Sequence, residues 1–167
     1  MKDTFSEKDL ESAILRELEN FILEFGDGFT FIARQKRITV DKRNYYLDLL
    51  FFHRKLRRLV AIELKLGQFQ AADKGQMELY LRWLEKNEHE VGEEAPIGLI
   101  LCADKSDEHV ELLQLGKSGI RVATYLTALP PRALLQKKLH QAIARTRKRF
   151  ASHGRNPGAN QSSASKL

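Results

Sequence analysis

Apolar residues recur near the N-terminus at Leu10, Ile14, Leu18, Phe21, Ile22 and Phe25, the three-and-four spacing of one helical face. Thr4 and Glu7 stand ahead of that run at capping-box spacing, and "GDG" at 26–28 stops it. The period then changes. "FTFIARQKRITV" (29–40) reads as a long strand that turns basic toward its end, "DKRN" (41–44) is turn chemistry, and residues 45–53 read as a second strand. "RKLRR" is a basic hairpin connection to a third strand over 59–66. A helix is predicted from about Asp73 to Asn87, and "PIGLILCA" (96–103) is the short continuous apolar run of a strand covered on both faces. "SDEHVELLQLGKSG" (106–119) is predicted as a short helix with a glycine stop and "IRVATYL" (120–126) as a last strand. Pro130 and Pro131 precede a basic helix from Arg132 to Phe150, and the polar, small-residue end at 151–167 has the composition of a disordered tail.

An antiparallel meander followed by helix-linked strands predicts an α/β fold, a mixed central sheet flanked by helices in the order α-β-β-β-α-β-α-β, with a basic helix after it. A chain of 167 residues suits one domain with a real core, assigned to 1–131, followed by the basic helix (132–150) and the tail (151–167). No internal repeat is present.

Two strands break their own pattern. Asp48 interrupts "YYLDLLFFH", and Glu63 and Lys65 interrupt "LVAIELKL". Burying an unpaired ionised group costs several kcal/mol, roughly, so these charges need compensation. Alternation puts Glu63 and Lys65 on one face with Leu59 and Ala61, while Val60, Ile62, Leu64 and Leu66 form an apolar opposite face. Asp48 is expected to share its face with Tyr46, Leu50 and Phe52, and to lie opposite or diagonal to Glu63 if the two strands pair. Two converging carboxylates suit a hard cation such as Mg²⁺, with Mn²⁺ as a substitute, and a neighbouring lysine suits phosphodiester hydrolysis. A buried ion pair without catalysis is the competing reading of the same spacing.

Other positions join that set. On the helical wheel Glu11 falls inside the first helix's apolar stripe and ranks ahead of Glu17 as a further metal ligand, whereas Glu19 points away; a solvated first-turn residue explains Glu11 equally. Gln76 and Tyr80, four apart, either hydrogen-bond a nucleotide or fasten their helix beside the site. Basic clusters at 34–43 (Arg34, Lys36, Arg37, Lys42, Arg43) and 54–58 (Arg54, Lys55, Arg57, Arg58) either follow a phosphate backbone or rim a solvated hairpin.

Charge sharpens the choice of partner. Net charge is +6, and the stretch from Arg132 to Leu167 carries nine basic residues and no acid. Such an arm favours polyanions, nucleic acid first, although a solubilising helix end accounts for it equally. Apolar runs fall short of the ~20 residues that span a bilayer, the N-terminus lacks a secretory layout, and one cysteine fits a reducing cytoplasm. Cys102, inside "IGLILCAD", reads as a core residue. The five histidines show no zinc spacing, and phosphate-cradling and dinucleotide fingerprints are absent.

Asp48…Glu63-x-Lys65 on neighbouring strands, after one helix and before another, resembles the PD-(D/E)xK nuclease superfamily. The blocks "FIARQKRITV…YYLDLLFFH…LVAIELKLG…GQMELYL…PIGLILC", over about residues 5–131, are similar to the YhcG-like nuclease domain of bacteria. The resemblance implies a restriction-endonuclease-like core, also found in tRNA-splicing endonucleases and Holliday-junction resolvases. It implies Asp48 and Glu63 as metal ligands, Lys65 as the catalytic lysine, and Gln76 and Tyr80 as the Q-x-x-x-Y element of RecB-like nucleases. Gln35 aligns with a recurrent family glutamine. Leu47 stands where the motif's name has proline. YhcG-like proteins usually carry a further N-terminal helical domain, so target recognition is expected from a separate subunit or domain, from the basic tail, or from the rest of a longer protein. A magnesium-dependent nuclease acting on DNA is therefore expected, and a homodimer would suit cutting two strands. A catalytically silent nucleic-acid-binding or protein-interaction module on the same fold is the alternative.

Overall fold

The computed structural model describes residues 7–103, 108–114 and 132–153. Helix α1 (Glu7–Phe25) leads into strands β1 (Phe29–Val40), β2 (Arg43–His53) and β3 (Arg58–Lys65), then helix α2 (Ala71–Asn87), strands β4 (Ile97–Ala103) and β5 (Glu108–Gln114), and helix α3 (Arg132–His153). Among the described residues five strands form one mixed sheet in chain order. The first three are an antiparallel meander, α2 carries the chain across to a parallel β4, and β5 returns antiparallel. This is the expected α/β layout. Thr4 of the expected cap and the expected strand at 120–126 lie outside the described residues.

Each face of the sheet has its own core. On one, Val60, Ile62 and Leu64 of β3 and Leu99 and Leu101 of β4 meet Ile14, Leu18 and Ile22 of α1 and Leu135, Leu139 and Ile143 of α3. On the other, Leu50, Leu59, Ala61, Ile100 and Cys102 meet Met77, Tyr80, Leu81 and Leu84 of α2. Cys102 is therefore a core residue, as its setting in an apolar run predicts. The turn after α1 needs its glycine: Gly28 has φ +89, and a Cβ there would come within 3.1 Å of the His53 ring.

Three expectations need correction. The segment read as a helix at 106–119 contains β5, which pairs along the whole of β4 from Ile97↔Gln114 to Ala103↔Glu108. A helix of that length is marginal by itself, whereas the open edge of β4 supplies ladder partners for a strand. The basic C-terminal helix is no appendage: Leu135, Leu139, Ala142 and Ile143 bury an apolar stripe against α1 and the sheet, so α3 is part of the domain's core. It also runs to His153, which makes residues 151–153 helical.

Candidate active site

The β2–β3 ladder runs from His53↔Arg58 to Leu49↔Ile62, and the next position is Asp48 facing Glu63. There the side chains take over the hydrogen bonding. The Asp48 backbone N–H donates to Glu63 Oε1 at 3.0 Å, and the Leu64 N–H donates to Asp48 Oδ2 at 2.8 Å. Each acid thus satisfies the backbone of the other's strand where those strands part, which compensates in part for burial. Asp48 and Glu63 are 8% and 6% exposed.

β2 also turns over at this point. Strict alternation would put Leu47 and Leu49 on one face. Instead Tyr45 and Leu47 pack with the α2 core, and Leu49 and Phe51 with the α1 core. β1 does the same alongside. Arg34 reaches Glu19 of α1 at 3.2 Å, whereas Lys36 lies 3.0 Å from Glu88 and over the Trp83 ring. Between them Gln35 has φ +52, an uncommon conformation for a side chain of its kind. Its Nε2 donates to Asp48 Oδ1 at 2.8 Å. The expected grouping of Asp48 with Tyr46, Leu50 and Phe52 therefore breaks at Tyr46, because the strand twists through the site; Leu50 and Phe52 stay on the α2 face, in register with Ala61 and Leu59 beside Glu63.

Lys65 continues β3 beyond Glu63 and points its ammonium at α2, 3.5 Å from Asp73 Oδ1. The other oxygen of Asp73 accepts the Gln70 N–H at 2.9 Å, at the N-terminus of α2. One carboxylate thus ties the lysine to the start of the helix. Asp73 escaped attention in the sequence because its position, near the start of the helix that follows the lysine, looks like ordinary capping. Asp48 and Lys65 line a cleft of about 700 Å³ with Gln35, Leu66 and, from α1, Lys8, Glu11 and Ser12.

Electrostatics at the pair run against two full charges. Burial raises the Asp48 carboxyl above its ordinary range, with hydrogen bonds from Leu64 and Gln35 opposing that. Burial, reinforced by the Asp48 charge, raises Glu63 much further. The two acids face each other where the strands part, and Lys65 pulls both down only in part. Two full negative charges side by side are disfavoured here, and a proton or a cation between them would relieve the repulsion. Among the described residues no three His, Cys, Asp or Glu side chains form a metal-holding group. Asp48 and Glu63, with Glu11 on the cleft wall, are the groups here that could hold a cation. That set fits Mg²⁺, which retains several waters.

The remaining sequence candidates separate by place. Tyr80 is buried and its ring packs against Tyr45 of β2, which ties α2 to the sheet; within α2 it accepts from Gln76 Nε2 at 2.7 Å, and its buried ring offers little surface to a nucleotide. Burial and the Glu63 charge also push the Tyr80 phenol up. Arg58 is wholly buried at the start of β3, which removes it from any phosphate-contacting surface. Arg57 is exposed, 3.8 Å from Glu94. Arg34 is engaged with Glu19, and Glu19, expected to point away from the core, faces β1, because a helical wheel does not know which strand flanks it. Glu17 instead meets Arg145 and Arg149 of α3.

Residues 1–140 match the family model of the YhcG PDDEXK nuclease domain. The putative nuclease YhcG of Escherichia coli (strain K12) is 39% identical over 148 residues, 87% of this chain and 38% of that protein. The chain thus spans well under half the length of that relative. A crystal structure of a repair endonuclease from Pyrococcus abyssi overlaps at a TM-score of 0.41 and 22% identity, over 62% of this chain and 41% of that one.

Proposed function

The chain belongs to the YhcG PDDEXK nuclease domain family, and from that membership we propose that it hydrolyses phosphodiester bonds of DNA with the help of a divalent cation, Mg²⁺ or in its place Mn²⁺. The observation that carries the reading is the meeting of Asp48, Glu63 and Lys65 where β2 and β3 part, at the edge of a cleft large enough for a nucleotide. Nucleases of this class generally use divalent metal ions. Asp48 and Glu63 are the residues that would hold the ion, with Glu11 available from α1. When bound, such an ion supplies Lewis-acid polarisation of the phosphate and activation of the attacking water.

The chain's own groups supply the rest. Gln35 and the Leu64 N–H hold the Asp48 carboxylate at both oxygens, so its orientation is set before any ligand arrives. Lys65, steadied by Asp73, presents a cation to a phosphate oxygen and helps to position the nucleophilic water. Basic residues on the β1–β2 ribbon draw the polyanion toward the cleft.

Lys65→Ala is expected to abolish cation-dependent cleavage of a panel of linear, circular and branched DNA, with the melting temperature little changed because the side chain is partly exposed. Cleavage by the variant equal to that of the parent would remove Lys65 from the mechanism. Salt-sensitive DNA binding with no cleavage at millimolar Mg²⁺ or Mn²⁺ would instead identify a silent binding module.

A further inference from the structure

Beyond Asp48 the ribbon of β1 and β2 turns an outward face to solvent that neither core uses. Tyr45 and Leu47 point toward α2, so Tyr46 between them points the other way, and it is 52% exposed. Its cross-strand neighbour is Arg37, and the next pair out on the same face is Thr39 with Asn44, joined by a 2.8 Å hydrogen bond between their side chains. Gln35, Arg37 and Thr39 are all exposed, so this face runs without a break from the Asp48–Gln35 contact to the hairpin tip. At the tip Lys42 and Arg43 are exposed as well. Tyr46 stands two residues from Asp48, roughly 7 Å along a strand.

A phenol ring left half exposed in this position is no part of either core. It makes no ring contact among the described residues, unlike Tyr45, which meets Tyr80. What it offers is a flat apolar face beside a guanidinium, next to the acids that would do the chemistry. Bases inside a duplex are already stacked on both sides and cannot use such a face, whereas an unpaired or extruded nucleotide can. Resting on the nuclease reading above, we propose that Tyr46 and Arg37 form a subsite for an unpaired nucleotide next to the scissile phosphate. The ring stacks on the base, and Arg37 with Lys42 and Arg43 binds the flanking phosphates. The preferred substrate is then a single-stranded segment, flap or branch and not a continuous duplex.

The test is binding by the full chain, in EDTA so that nothing is cut, to a labelled single-stranded oligonucleotide and to the matching duplex. The parent is expected to prefer the single strand. Tyr46→Ala should weaken that binding about ten-fold or more and leave the duplex nearly unaffected, while Tyr46→Phe, which keeps the ring face, should bind like the parent. Arg37→Ala should weaken both ligands and reduce the salt dependence by about one phosphate contact. The subsite is refuted if Tyr46→Ala binds the single strand as the parent does, or if the parent prefers duplex. Cleavage is scored separately with Mg²⁺. A parent that binds single strands through Tyr46 but cuts nothing leaves the subsite standing and sinks the nuclease reading. A parent that cuts, alongside a Tyr46→Ala variant unaltered in both binding and cutting, does the reverse.

Discussion

Replacing Glu63 by glutamine should make the cation-free protein more stable while destroying its activity. Glu63 is 6% exposed, and its carboxyl is raised by burial and by the charge of Asp48. The amide in Glu63→Gln keeps the acceptor for the Asp48 N–H and adds an N–H₂ that can donate to the Asp48 carboxylate, so the reciprocal bonding at the parting of β2 and β3 survives. Removing one buried charge while keeping its hydrogen bonds is worth about 1–3 kcal/mol, the scale on which neutral replacements of buried charges act. For a chain of this size that corresponds to a rise in melting temperature of roughly 2–10 °C. The assay is thermal melting in EDTA, repeated with Mg²⁺ and with Mn²⁺. The parent should gain stability with either ion, the variant should gain much less, and cleavage should be lost in the variant throughout. Function held at the expense of stability is the pattern expected of a preorganised site. A variant that melts below the parent in EDTA, with its fold otherwise intact, would show that the two acids do not oppose each other, and the reading of the site would fail with it.

Acid titration gives a related check. Because Asp48 and Glu63 are raised in the folded state, the native protein binds more protons than the unfolded chain between the ordinary values of 3.8 and 4.5 and the raised ones. Their destabilising contribution is then absent below the ordinary values and grows as pH rises through the raised ones. The urea midpoint in EDTA should fall as pH rises above the ordinary carboxyl values, and less steeply in Glu63→Gln; identical slopes would refute the raised pair. A packing test lies on the other side of the site. Gly98 in β4 faces Met77 of α2, and a Cβ would meet Met77 Cγ and Sδ at 2.6 Å. Gly98→Ala should therefore lower stability by about 1–3 kcal/mol by pushing α2 away from the sheet, and an unchanged melting temperature would show that the methionine moves aside freely.

Much of this protein is legible in the linear order of its residues. The apolar stripe of α1, the meander of β1 to β3, the helix α2 and the continuous apolar run of β4 follow from period and turn chemistry, because each element must bury one face and each period has one geometry. Asp48, Glu63 and Lys65 announced themselves by standing in strands that ought to be apolar. β5 did not, since "EHVELLQ" suits either period and only the open edge of β4 decides for a strand. Three-dimensional packing alone assigned α3 to the core, buried Arg58 and Tyr80, turned Glu19 toward Arg34, and joined Asp73 to Lys65. It also decided that β1 and β2 twist over at Gln35 and Asp48, which sends Tyr46 outward. Local sequence sets which face of an element is apolar; which neighbour covers that face, and where two strands part so that their side chains replace the ladder, depends on contacts between residues far apart in the chain.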